Sequence, residues 1–113
     1  MNICVFGGRL TRDPKLVTLE AGGIVCNFTI AINNYRKAKT GETVNRAAFA
    51  DCEAWDTGAE FIHKSYKKGD YIIINASLRT DSWETNGVKK YKNVYRVNHF
   101  ESLKPIAKEE ANV

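Results

Sequence analysis

Five aromatic side chains carry the pattern with the most chemical content. Tyr35, Phe49, Trp55, Trp83 and Tyr91 all stand among basic or polar neighbours, with Arg36, Lys37, Lys39, Arg46, Arg79, Lys89, Lys90 and Lys92 within a few residues of them. Aromatic side chains are costly to leave in water and ordinarily belong in a core. Trp83, which closes the stretch "SLRTDSW" at residues 77–83, sits where the apolar run of its strand has given out. A single strand of nucleic acid exposes phosphates and bare base faces. Its holder needs cations along a groove and flat rings for stacking, worth roughly 1–3 kcal/mol per base. Neither feature is specific alone; their interleaving points to such a ligand.

Catalytic arrangements are thin. His63 and His99 have no nucleophile or carboxylate at a telling spacing, and Gly7-Gly8 lacks the G-x-x-x-x-G-K-[ST] pattern that cradles phosphate. The acids Asp51, Glu53 and Asp56 form the one candidate metal constellation, which could hold Mg²⁺ for nuclease chemistry. A metal-dependent nuclease is therefore the alternative from a different class, although Trp55 stands where such a site would want a base or lysine. Cys4, Cys26 and Cys52 are far apart with no C-x-x-C pair, so neither a zinc site nor a disulfide framework is expected. No cofactor is predicted.

The elements that position the aromatics follow from hydrophobic periodicity. "NICVFGGRL" reads as a strand broken at Gly7-Gly8, as a strand needs when it curls around a small barrel. "KLVTLEAGGIVCNFTIAIN" reads as two strands around Gly22-Gly23, and Cys26, Phe28, Ile30 and Ile32 alternate with polar or small residues. "YRKAKTGETVNR" predicts a long, flexible, basic hairpin loop. In "AAFADCEAW" the small Ala50, Cys52 and Ala54 face inward, leaving Phe49, Asp51, Glu53 and Trp55 together on the outer face. "DTGAEFIHKSYKKG" predicts a helix with a capping box at Thr57 and Glu60, a stripe of Ala59, Ile62 and Tyr66, and a stop at Lys67-Lys68-Gly69. "DYIIINASLRTDSW" and "YKNVYRVNHFESL" are long strands joined by a turn at Asn86-Gly87. The order is three strands, one short helix and two strands. That is the order of an OB-fold, a five-stranded Greek-key barrel in an all-β chain with one helix.

A length of 113 residues suits one domain, here residues 1–104 followed by a short polar tail at 105–113. The net charge of +4 is mild, but its bases crowd into "RLTRDPK", "YRKAKTGETVNR" and "VKKYKNVYR". No apolar stretch is long enough to cross a bilayer and Met1 leads straight into a strand, which predicts no membrane partner and a cytoplasmic protein.

"GRLTRDP", "GGIVCNFTIAIN", "YKKGDYIII" and above all "LRTDSW" resemble segments of the bacterial-type single-stranded DNA-binding proteins, in order and spacing, over about residues 2 to 103. The resemblance implies an OB barrel, usually a homotetramer, and sequence-tolerant binding and protection of single-stranded DNA in replication, recombination and repair. It places Tyr35, Phe49, Trp55 and Trp83 where the family carries base-stacking aromatics; Tyr91 joins them on local grounds. Arg9, Arg12, Arg36, Lys37, Arg79, Lys89 and Lys90 are the expected phosphate contacts. A dimeric primosomal relative of the same fold is the nearer alternative. The location follows as nucleoid-associated, or a host's cytoplasm for a phage-encoded version. The chain departs from the family at Asp51, Glu53, Ala76 and Val94, and it ends in "KEEANV" rather than an acidic tip with a terminal aromatic, so replication and repair partners are left open. If Asp51 and Glu53 face DNA, each would repel a phosphate about 7 Å away by roughly 0.6 kcal/mol in near-bulk water. The alternative is that they pair with bases on neighbouring strands, such as Arg96.

Overall fold

The computed structural model describes residues 1–102. Its strands are β1 (Cys4–Leu10), β2 (Lys15–Thr18), β3 (Ile24–Ile32), β4 (Tyr35–Lys37), β5 (Thr43–Asn45), β6 (Ala48–Trp55), β7 (Tyr71–Thr85) and β8 (Val88–Ser102), with one helix, α1 (Asp56–Ser65), between β6 and β7. The expected tail at 105–113 lies outside the described residues.

The main sheet runs β1-β7-β8-β6-β3-β2, and β1 also pairs with β3. That second pairing closes a ring of five strands, β1-β3-β6-β8-β7, with a parallel contact between β6 and β8 where Cys52 meets Tyr95 and Glu53 meets Arg96. All other pairings are antiparallel. This is the five-stranded OB barrel. Short β2 extends the sheet beside β3, and β4–β5 form a separate ribbon.

Alternation builds the core. Cys26, Phe28 and Ile30 of β3, Ala50, Cys52 and Ala54 of β6, and Ile72, Ile74 and Ala76 of β7 are all buried in one cluster with Leu10. The inward row of β6 is small because α1 packs over this part of the barrel, burying Ala59, Ile62 and Tyr66 in the same cluster. The helical stripe is thus the one its 3.6-residue period predicts.

Two local expectations are corrected and a third is sharpened. β1 runs unbroken through Gly7-Gly8, and what changes there is its partner: β7 as far as Arg9, β3 from Arg9 onward. A Cβ on Gly8 would lie 2.4 Å from the carbonyl oxygen of Ala31, so glycine is required for strands to approach where the barrel closes. The capping box does not form. Trp55 is the residue preceding the helix and no side chain caps it, because β6 turns straight into α1 at Asp56 (φ 53°), which puts Thr57 inside the first turn instead of ahead of it. The basic segment after β3 forms the expected hairpin, but with the paired strands β4 and β5 along it, joined at its base by Asn45, whose amide donates to Asn33 Oδ1 while its Oδ1 accepts from the Asn34 N–H.

β7 and β8 extend past the barrel as a two-stranded arm closed by Asn86 and Gly87, both at positive φ (52° and 79°) as a tight two-residue hairpin turn demands.

Candidate nucleic-acid interface

The outer face of β6 presents Phe49, Asp51, Glu53 and Trp55 in succession, a row about 20 Å long at strand spacing. Cross-strand register widens it. Ala31 of β3 lies opposite both Phe49 and Arg9, while Thr29 lies opposite Asp51 and Asn27 opposite Glu53. The next strand contributes Arg96 beside Glu53. On the arm, Arg79 is paired with Val94, Asp81 with Lys92 and Trp83 with Lys90, so these six share one face.

Between the barrel and the arm lies an open cleft of about 480 Å³, lined by Arg12, Asp13, Lys15, Asn27, Thr29, Asp51, Glu53, Asp81, Lys92 and Val94 among others. Two rings continue the faces that line it, Phe49 two residues before Asp51 on β6 and Trp83 two residues after Asp81 on β7. Phe49 is 67% exposed and Trp83 46%, large values for apolar side chains in a chain with a complete core. Three bases, Arg12, Lys15 and Lys92, reach the cleft. Lys15 and Lys92 were not among the expected phosphate contacts. Lys15 belongs to the cluster "RLTRDPK", and the pairing of β2 with β3, which sets Lys15 opposite Asn27, brings it here.

The remaining expected residues distribute unevenly. Arg9 sits on the outer wall, its guanidinium donating to the Gly69 carbonyl at 2.9 Å and lying 5.6 Å from the Tyr71 ring centre. Tyr35, Arg36 and Lys37 are exposed along β4, and Lys89 and Lys90 are exposed at the start of β8. Tyr91 is exposed too, but its partner is Ser82, so it lies on the opposite face of the arm from Trp83, with Lys89 Nζ 5.9 Å from its ring centre. Trp55 is half-buried, donating from Nε1 to Glu53 Oε2 at 3.1 Å.

Arg79 is placed otherwise than a free phosphate contact would be. Its Nη2 and Nε donate to the two oxygens of Glu53 at 2.7 and 2.9 Å, and its Nη1 donates to Asp81 at 2.6 Å. These bonds, that to Glu53 first, hold the guanidinium pKa above its ordinary value. Glu53, 5% exposed, is the one buried charged residue among those described. Asp51 accepts from the Thr29 hydroxyl at 2.8 Å and lies 3.5 Å from Lys92 Nζ. Both acids therefore pair across strands, with Arg79 and Lys92 rather than Arg96. These contacts do not assemble the nuclease constellation: Glu53 already accepts three hydrogen bonds from Trp55 and Arg79, Asp56 starts the helix, and no group of three or more potential metal ligands gathers among the described residues. Burial raises the thiols of Cys26 and Cys52, to about 11 and about 12, with the charge of Asp51 adding to the second.

Fold and face together define an OB barrel with exposed aromatic rings and a charged cleft on one face. The chain belongs to the Single-strand binding protein family, whose model matches residues 1–103. Single-stranded DNA-binding protein 1 of Synechocystis sp. is 40% identical over 98 residues, covering 85% of this chain and 78% of the relative. The single-stranded DNA-binding protein of Fusobacterium nucleatum is 35% identical over 89 residues, covering 79% of this chain and 58% of the relative. Against that second relative, then, the chain spans little more than half the length. Among solved structures, the Plasmodium falciparum SSB complex with ssDNA superposes with a TM-score of 0.78 at 24% identity, over 89% of this chain and 91% of that one, an agreement in fold.

Proposed function

We infer that this chain binds single-stranded DNA with little regard to sequence and without catalysing a reaction, protecting it during replication, recombination and repair. The observation that carries the reading is the solvent-facing position of Phe49 and Trp83 on one face with the cleft that Arg12, Lys15 and Lys92 line. Bases stack on such rings whatever their identity, because every base has a π-face, while the cations follow the backbone. Duplex DNA hides its base faces and would be held only through its phosphates.

Assembly into a homotetramer, or a dimer, is part of the same proposal. Among the described residues, β1 has no strand partner on its second edge before Arg9, and Val5 within it and Met1 and Ile3 just before it are exposed. An unpaired apolar edge of this kind is a liability unless another chain covers it. The proposed unit is the OB domain of residues 1–104 followed by the tail at 105–113, acting in the cytoplasm at the nucleoid. No helix among the described residues is long and apolar enough to cross a membrane.

Titrating the protein with poly-dT tests the reading. Indole emission should be substantially quenched by the single strand and little changed by duplex. Trp83→Ala should weaken binding by roughly 1–3 kcal/mol with thermal unfolding unchanged. Undisturbed emission at saturating poly-dT, or equal affinity for duplex, would overturn it.

A further inference from the structure

Trp55 does not offer a bare ring. The guanidinium of Arg96 lies over it, with Cζ 5.2 Å from the ring centre. The indole is held in place from its edge, since Nε1 donates to Glu53, whose carboxylate is in turn fixed by two bonds from Arg79. Gly23 lies close to the far end of the ring, where an added Cβ would be 3.7 Å from Cζ3. A ring tied at Nε1 and covered by a guanidinium cannot turn to expose a new face without breaking these contacts.

Arg96 itself is exposed and, among the described residues, has no carboxylate within ion-pairing distance. This contrasts with Arg79, matched by Glu53 and Asp81. The two arginines divide the work. Arg79 neutralises the buried acid, and Arg96, on the same face as Val94 and Lys92, is left to the indole. A guanidinium is a planar, weakly hydrated group that stacks on aromatic faces on one side and on nucleobases on the other.

We propose that Arg96 is a base-stacking residue of the groove, and that the platform at this end is an Arg96–Trp55 pair whose outer surface is the guanidinium plane. Glu53 is then a positioning residue, setting the indole on which Arg96 rests. The inference rests on the groove being the single-strand site, and it adds a contact that charge counting alone would assign to phosphate.

Two measurements test it, both scored against wild-type binding of poly-dT, so that loss of wild-type binding would instead count against the parent reading. The chain has two tryptophans, so Trp83→Phe leaves Trp55 as the sole indole and Trp55→Phe leaves Trp83. Saturation should quench Trp83 strongly and Trp55 only weakly, because the base meets the guanidinium; equal quenching would overturn the proposal. The second measurement compares Arg96→Lys with wild type. Lysine keeps the charge and loses the plane, so affinity should fall about five- to tenfold with the salt slope unchanged, provided the thermal midpoint and mass match wild type. Unchanged affinity for Arg96→Lys would reduce Arg96 to a point charge and sink the idea. Should Trp55→Phe fail to fold, the Trp83→Phe emission and the Arg96→Lys affinity still decide the question.

Discussion

Asp51 and Glu53 stand two residues apart on one strand face and yet answer to different forces. Asp51 is half-exposed and only loosely paired with Lys92, so its charge acts mainly on whatever enters the cleft. Asp51→Asn should release Lys92 and tighten DNA binding two- to threefold at low salt, from a repulsion of roughly 0.6 kcal/mol, with the gain vanishing at high salt. Titrations at two salt concentrations check this, and weaker binding would show that Asp51 orders the site instead. Glu53 is nearly closed to solvent and bonded to Arg79 and Trp55. Glu53→Gln removes the charge of a buried acceptor whose partner Arg79 is itself half-exposed, and should cost about 1–3 kcal/mol in urea unfolding through the weakened hydrogen bonds, an effect Asp51→Asn will not show. The buried thiols give a pH signature. With folded values of about 11 for Cys26 and about 12 for Cys52, the native state holds protons that the unfolded chain releases near pH 8.5–9. Their contribution is complete below that range and is lost as pH rises through the folded values, so stability should decline on the alkaline side. At pH 8 a thiol reagent should label Cys4 alone in the native protein and all three cysteines in denaturant, as counted by mass.

At the scale of elements, β1 decides whether the barrel closes. Gly7 and Gly8 are neighbours in sequence, but they face different obstacles. A Cβ at Gly7 would meet the hydroxyl end of Tyr71, which can swing aside, whereas at Gly8 it would meet the backbone of Ala31. Gly7→Ala should therefore cost less than about 1 kcal/mol and Gly8→Ala about 2–4 kcal/mol, measured by denaturant unfolding. Similar costs at the two positions would show that the strands can part at the closure. The β7–β8 arm has its own consequence. With Trp83 and Tyr91 on opposite faces, a strand lying in the groove meets the first directly and the second only by passing around the arm.

For the whole molecule, a net charge of +4 hides a mixed groove. The bases Arg12, Lys15 and Lys92 stand among the acids Asp13, Asp51, Glu53 and Asp81, and Arg79 and Lys92 are already paired with acids. Binding should weaken steeply with salt, with a slope of about −0.7 per phosphate contacted. The contributions of single bases then separate by pairing. Lys15→Ala should reduce the slope by about 0.7, since Lys15 has no acid partner among the described residues, and Lys92→Ala by less, because Asp51 already neutralises it in part. Equal reductions would mean that DNA strips Lys92 from Asp51 at no cost.

Local periodicity carries much of this protein in the sequence. The inward rows of β3 and β6, the stripe of α1 and the turn at Asn86-Gly87 are short-range patterns, and each is present as the residues predict. The two-residue turn even determines that Trp83 pairs with Lys90 and Ser82 with Tyr91, so the opposed faces of the arm are legible in the residues alone. What tertiary structure alone decided is which charges meet. Glu53 and Arg79 lie 26 residues apart, and nothing local tells an acid on β6 that its partner stands on β7 rather than at Arg96. The parallel contact of β6 with β8 and the pairing of β8 with β7 bring those side chains together, because pairing between distant strands depends on how the whole barrel packs, not on the period of any one of them.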